Sequence, residues 1–329
     1  MIRVGYLAID VGGTKTEIAY FEELKNIKFE KQERYESKKF SSLEEIISSF
    51  IDRNNLSIKR IAIGIAGPVI DQICHTTNLP WLVKAEQIKA KFKLEKVILI
   101  NDLVANAYGI EAVSEEDKII LHPGKFQRLG NKAMISPGTG LGEAGIFFDG
   151  NKYIPFPTEG GHCDFAPVDN EQIELLRFLN MKFSHVSFER ILSGPGFSNI
   201  YDFYTNCKNL NKVKEVEEIK DLKDRPKIIT TLAIELKEPT CKKVVELFIK
   251  ILAAEASNLA LKMYSIGGLY IGGGILPKIL PLITPLTFKE AFEEKGRFSS
   301  WLKEIAVIVI NDDKTALKGA ALSLQYKET

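Results

Sequence analysis

The sequence predicts an α/β protein of two lobes, and three observations carry that prediction. Short apolar runs bounded by glycine, proline or asparagine alternate with segments of helical spacing. A strand–glycine–strand unit appears twice, at 5–21 and at 133–154, although no fixed-period repeat links the two copies. The length of 329 residues exceeds what a single hydrophobic core usually serves.

Each element has its own reason. Residues 3–10 are apolar and end at Asp10. Gly12-Gly13-Thr14-Lys15 then turns the chain into the alternating run Thr16 to Phe21, which predicts a β-hairpin. Leu43, Ile46, Ile47 and Phe50 have helical spacing after Ser42. Ile61–Ile65 and Lys96–Ile100 are buried strands closed by Gly67-Pro68 and Asn101-Asp102, and Val104, Ala105, Tyr108 and Ala112 predict the next helix. In the middle, Ala133-Met134-Ile135 leads into Ser136-Pro137-Gly138-Thr139-Gly140-Leu141-Gly142. A strand at Ala144–Phe148, an Asp149-Gly150 turn and Lys152-Tyr153-Ile154 follow. The charged stretch 206–228 reads as exposed helix and loop. A long helix spans Lys242–Tyr264, and a strand at Leu269–Ile271 runs into Gly272-Gly273-Gly274. The chain closes on a strand at Ile305–Ile310 and a helix at Thr315–Leu324.

Composition narrows the function. Lys+Arg is 44 and Asp+Glu 43, so the formal charge is +1 and a basic nucleic-acid-binding face is not expected. No run of 18 apolar residues signals a membrane span, and residues 1–5 lack the pattern of a secretory leader. The four cysteines, at 74, 163, 207 and 241, form no CxxC pair and read as reduced thiols of a cytoplasmic protein.

The glycine turns are the first candidates for chemistry. A turn without side chains lets backbone N–H groups approach a phosphate. Asp10, at the strand end, is placed to hold Mg²⁺ through water, and Thr14 to donate its hydroxyl; an Asp-capped tight hairpin is the alternative. The second loop hides a match to GxGxxG at Gly140, Gly142 and Gly145. That motif requires a helix after the strand, and a second strand is expected here, so the dinucleotide reading is rejected. Two such hairpins suggest two lobes clamping a nucleotide. Gly272–Gly274 reads as close approach to an adenosine, or as a strand-to-helix turn. Asp102, at a strand C-terminus, is placed to take a proton from a substrate hydroxyl, or to cap the following helix. Glu159 and His162, beside Gly160-Gly161, offer acceptors and donors to a polyol. Glu189 reads as a further ligand or as an ion-paired helix residue.

These residues resemble the bacterial-type ATP-dependent glucokinases of the sugar kinase/actin/heat-shock ATPase superfamily. The carrying segments include Ala8–Thr14, Ile63–Pro68, Asn78-Leu79-Pro80-Trp81 and Ile100-Asn101-Asp102-Leu103. Further ones are Ile135–Gly142, Glu159–Pro167, Glu189–Gly196, Tyr270–Ile275 and Phe292–Phe298, in family order across nearly the whole chain. The resemblance implies two ribonuclease H-like (actin-like ATPase) domains flanking a cleft: a small α/β domain of 1–112 plus 303–329, and a large α+β domain of 113–302. It implies phosphorylation of glucose at the 6-hydroxyl by Mg-ATP at the entry to glycolysis. Another hexose as substrate, such as mannose or glucosamine, or a non-catalytic sugar sensor, are the alternatives. Asp102 would be the general base, and Asn101, Asp102, Glu159, His162 and Glu189 would bind the sugar. Asp10, Gly12, Gly13, Thr14, Gly138, Thr139, Gly140, Gly272, Gly273 and Gly274 would hold ATP and Mg²⁺.

Leu103 and Cys163 depart from residues common in the family, Phe and Val, which bears on affinity more than on chemistry. The zinc-binding cysteine cluster of the related repressor/ORF/kinase group is missing, so no structural zinc is expected. The strand starting at residue 3 leads to the expectation of no N-terminal DNA-binding domain. The resemblance also implies a homodimer.

Overall fold

A computed structural model describes residues 3–125 and 128–326. They fall into two compact units, Met1–Glu115 with Asp312–Thr329, and Glu116–Asn311.

The first unit runs β1 (Arg3–Val11), β2 (Lys15–Phe21), β3 (Lys31–Glu36), α1 (Leu43–Asn54), β4 (Leu56–Ile65), β5 (Val69–Ile70), β6 (Ile73–His75), β7 (Leu82–Lys84), α2 (Ala85–Phe92), β8 (Lys96–Asn101) and α3 (Asp102–Gly109). Its main sheet has the order β3-β2-β1-β4-β8, and β5, β6 and β7 form a small sheet of their own. β1, β4 and β8 are parallel, with Val11 level with Ile65 and Ile65 level with Asn101. Three strand ends therefore finish side by side, where sites in parallel α/β sheets form. The Ser42 hydroxyl caps α1 by accepting the Glu45 N–H at 3.3 Å, and Leu43, Ile46, Ile47 and Phe50 turn inward. The edge of β8 is closed by Gln72, whose amide accepts the Leu99 N–H at 2.8 Å and donates to the Leu99 carbonyl at 3.2 Å.

The second unit runs β9 (Lys118–His122), β10 (Lys132–Pro137), β11 (Leu141–Phe148), β12 (Tyr153–Thr158), α4 (Asn170–Asn180), α5 (Gly194–Asn206), α6 (Lys214–Glu217), α7 (Arg225–Glu235), α8 (Pro239–Met263), β13 (Leu269–Ile271), α9 (Leu276–Ile279), α10 (Pro285–Glu293), α11 (Ser299–Leu302) and β14 (Val307–Ile310). The sheet order is β12-β11-β10-β13-β14-β9. The long α8 supplies the centre of the core, where Phe248 stacks on Phe197 of α5. A strand, not a helix, follows the second glycine loop.

One expectation needs correction. The resemblance places the strand near 305–310, within 303–329, in the small domain with the C-terminal helix. It lies in the second unit, parallel to β13 and antiparallel to β9. Val307–Ile310 is apolar on both faces, so its sequence fits the interior of either sheet.

Only from Asp312 does the chain rejoin the first unit, through α12 (Thr315–Ser323). Leu317, Ala320 and Ala321 cover Ala8, Ala19, Phe21 and Ala62, the sheet face opposite α1. The contact of α12 with α3 is backbone to backbone. A Cβ on Gly319 would fall 1.7 Å from the Ala105 carbonyl oxygen, and one on Gly109 would fall 2.0 Å from that of Thr315. The returning helix thus clamps α3, whose first residue is Asp102.

No helix among the described residues is long and apolar enough to cross a membrane. All four cysteines are free.

Candidate active site

In the first unit, Asp10 lies opposite Gly64 and one residue before the end of β1. The turn after it is braced from beneath by Ser37. The Ser37 hydroxyl donates to the Gly12 carbonyl at 2.9 Å and lies 3.0 Å from the Thr16 hydroxyl, and its N–H donates to the Thr14 carbonyl at 3.0 Å. Asn78 packs over the other side. A Cβ on Gly13 would meet the Asn78 Cβ at 2.5 Å, so this close approach depends on glycine. Gly12, Gly13 and Thr14 are therefore held between two elements, a rigid setting for backbone donors.

Asn101 is the cap of α3. Its Oδ1 accepts the N–H groups of Leu103 at 2.9 Å and Val104 at 3.4 Å, and its Nδ2 donates to the Gly67 carbonyl at 3.1 Å. The capping role considered for Asp102 falls mainly to Asn101, although Asp102 Oδ1 also accepts the Leu103 N–H at 2.9 Å. Burial pushes the Asp102 carboxyl above its ordinary range, and its hydrogen bonds pull it partly back. Burial, then the charges of Asp102 and Glu17, raise Asp10 to about 7 against the pull of Lys15. Asp10 and Asp102 therefore feel one another's charge at the end of the sheet, a setting that favours a cation.

The donor chemistry fits Mg²⁺. Among the described residues, no group of three or more His, Cys, Asp and Glu forms a cage for an ion. Mg²⁺ does not need one, because it keeps several waters and binds through one or two carboxylates together with substrate phosphates. Asp10 offers such a carboxylate.

In the second unit the glycine loop Gly138-Thr139-Gly140 joins β10 to β11. The Gly138 N–H donates to the Gly140 carbonyl at 2.8 Å, and the Gly138 carbonyl accepts the first N–H of α5, from Gly194, at 2.8 Å. Glu189 holds the loop. Its Oε2 accepts the Leu141 N–H at 3.0 Å, and a Cβ on Gly140 would fall 2.4 Å from that oxygen. Its other oxygen lies 3.9 Å from His162 Nδ1. Glu189 thus has the ion-pair geometry that was one of its two readings, and it also braces the loop beside the turn Gly160–His162. His162 itself is exposed, with its ring 5.6 Å from that of His185, and Glu159 is exposed at the start of the turn. Gly272–Gly274 forms the β13-to-α9 turn. Gly273 has φ +83°, and a Cβ there would meet the Pro137 carbonyl at 2.4 Å, which brings this cluster against the base of the glycine loop.

Asp10, Gly12, Gly13, Thr14, Asn101 and Asp102 are brought together within one unit. Gly138–Gly140, His162, Glu189 and Gly272–Gly274 form a second group within the other. Among the residues that the sequence reading does not single out are Ser37 and Glu143. Ser37 gave no signal, being one serine in a charged stretch. Glu143 did leave one, a single carboxylate inside the apolar strand Leu141–Phe148.

Comparison with known proteins assigns the family. The family model described as Glucokinase matches residues 7–327. The chain belongs to the glucokinase family. A glucokinase of Nostoc sp. strain PCC 7120 is 37% identical over 336 residues, covering 96% of this chain and 97% of that one. The crystal structure of a glucokinase from an Antarctic psychrotroph superposes with a TM-score of 0.84 at 27% identity, covering 97% and 98% of the two chains. A glucokinase of the ROK family from Streptomyces griseus, solved in complex with glucose and AMPPNP, shares the fold at a TM-score of 0.64 and 19% identity, covering 96% and 98%. The mixed α/β fold read from the sequence is therefore that of the sugar kinases.

Proposed function

We propose that the chain transfers the γ-phosphoryl group of Mg-ATP to the 6-hydroxyl of glucose, giving glucose 6-phosphate and ADP. The observation that carries this is a partly buried, raised carboxyl at Asp102, after β8, at the same end of the parallel sheet as the braced glycine hairpin after β1, with β4 between them. Membership of the glucokinase family and the glucose and AMPPNP bound to the Streptomyces griseus relative supply the ligands.

In this reading the two units are the ribonuclease H-like lobes of an actin-like ATPase. Asp102 accepts the proton of the 6-hydroxyl. The oxygen attacks the γ-phosphorus in line, and the bond to the departing ADP oxygen breaks. Its raised pKa makes Asp102 a stronger base once ionised. Asn101 aims it by capping α3. Glu159, His162 and Glu189 bind the remaining hydroxyls, with Glu189 also fixing the loop Gly138–Gly140. Gly12 and Gly138 close the two turns through their own N–H groups, and Gly13, Thr14, Thr139 and Gly140 donate N–H and hydroxyl groups to the phosphates, while Gly272–Gly274 lets the nucleoside approach the backbone. Mg²⁺, when bound, neutralises phosphate charge, and Asp10 is the residue that would hold it through water. The enzyme works in the cytoplasm, where ATP is supplied.

The test is the identity of the product. Incubation with Mg-ATP and glucose, followed by phosphorus NMR, should give a phosphate ester at carbon 6. An ester elsewhere on the ring, or inorganic phosphate alone, would contradict the proposal.

A further inference from the structure

Beneath the turn Glu159–His162 lies a carboxyl pair that the mechanism above does not use. Glu143 of β11 and Glu255 of α8 are 1% and 0% exposed. The turn rests directly on Glu143. A Cβ on Gly160 would fall 2.0 Å from Glu143 Oε2, and one on Gly161 would fall 2.1 Å from the Leu141 carbonyl oxygen two residues earlier. The Thr158 hydroxyl donates to the Glu143 carbonyl at 2.9 Å and accepts the Gly160 N–H at 3.2 Å, so backbone and side chain of one strand residue both carry the turn.

The hydrogen bonding of the pair is lopsided. Glu255 accepts from Asn258 Nδ2 at 2.8 Å and lies 3.5 Å from Lys262 Nζ. Glu143 Oε1 is buried and has no hydrogen-bond partner among the described residues. Glu143 and Glu255 act on one another electrostatically; two such buried carboxyls cannot both ionise without a large penalty, and an unpaired buried oxygen adds to it. A single proton between them removes both costs. The donors sit on Glu255, so the charge belongs there and the proton on Glu143.

We propose that Glu143 and Glu255 share one proton and that this pair positions the sugar-facing turn Glu159–His162. The assignment of the turn to sugar rests on the function proposed above; the coupling of pair to turn does not. Burial and the Glu255 charge push the Glu143 carboxyl well above the usual range, with Lys262 opposing. The groups facing the pair are Lys262 and Asn258 on α8 and Lys295 after α10. Lys295 is pushed down by burial and pulled back up by Glu255. Losing the proton puts a second buried negative charge under Gly160. The pair is then disrupted and the turn loosens as pH rises. Glu143 is thus a positioning residue, acting through Gly160 on His162 and Glu159.

The experiment compares the unliganded wild-type protein with Glu143→Gln, whose amide is neutral at every pH and can donate to Glu255. Hydrogen exchange of the peptide spanning 158–163, corrected for intrinsic rates, is followed from pH 6 to pH 9. Wild-type protection should fall at least about tenfold across that range, while the variant keeps its protection throughout. Glucose KM should rise with pH in the wild type and stay level in the variant, with kcat changing less. Equal exchange profiles in the two proteins overturn the proposal. A Glu143→Gln protein that fails to fold overturns it too, because the substitution leaves the charge of the protonated form unchanged. If the exchange profiles differ as stated but glucose has no effect on either protein, the pair stands and the sugar assignment falls.

Discussion

The Glu189 carboxylate accepts the Leu141 N–H at 3.0 Å and stands 3.9 Å from His162 Nδ1, so one side chain ties the second glycine hairpin to the His162 turn. This relationship predicts a shared kinetic effect. A hydrogen bond to a charged group contributes about 1.5–3 kcal/mol. Glu189→Ala should therefore raise KM for both ATP and glucose by roughly tenfold or more. Glu189→Gln keeps an acceptor for Leu141 and should spare ATP more than glucose. Steady-state kinetics with each substrate varied in turn decides it. An effect of Glu189→Ala confined to glucose would mean that the loop does not depend on Glu189.

Asp102→Asn should lose about 10²–10⁴-fold in kcat, the usual cost of removing a general base. Glucose affinity, measured by calorimetry, should change little, because the amide keeps an acceptor for the Leu103 N–H. The wild-type rate should also fall on the acid side, as protonation of the raised carboxyl removes the base. A variant with near-normal kcat would take Asp102 out of that role.

Asp10 makes a prediction about stability. Its carboxyl is raised from 3.8 to about 7 in the folded protein, so the folded state favours the protonated form. The stability this group provides is complete below about pH 4 and is lost as pH rises through 7. At 1.36 kcal/mol per pKa unit the loss is at most roughly 4 kcal/mol. Asp10→Asn should therefore stabilise the ligand-free protein against denaturant above pH 7, by an amount that shrinks towards pH 4. A variant no more stable than wild type at pH 8 would show that the site already compensates the charge.

The contact of α12 with α3 leaves no space at Gly319. Gly319→Ala should destabilise by about 3 kcal/mol, at the upper end of overpacking costs. Because the helix it displaces carries Asp102, the folded fraction should also lose kcat. Urea unfolding and active-site-normalised rates test the two parts separately. Unchanged stability would mean that the two helices can separate freely.

Much of this arrangement is legible in the sequence, for physical reasons that differ by element. The β1–β2 hairpin, α1 and α8 announce themselves through periodicity and turn residues, and their observed bounds lie within a few residues of those expected. β3 was invisible because Lys31–Glu36 is an edge strand, and edge strands carry charge instead of apolar alternation. β14 was legible as a strand but not as a member of its sheet, since pairing depends on residues almost 190 positions away in β9. Asp10, Asp102 and the glycine hairpins stood out as chemistry in search of partners. That Asn101 reaches the Gly67 carbonyl, that Ser37 braces the first hairpin and that Glu189 holds the second depend on long-range contacts, which spacing does not reveal. Glu143 and Glu255 do leave a signal, since each is a lone carboxylate in an apolar run.

The most direct test of the central claim is ADP release from Mg-ATP, measured in parallel with glucose, mannose, fructose and glucosamine, with Asp102→Asn as the blank. The structure and the family predict strong release with glucose that the variant abolishes. Release that ignores the sugar, or that survives in Asp102→Asn, would contradict the account of Asp102 as the base of a glucose 6-kinase.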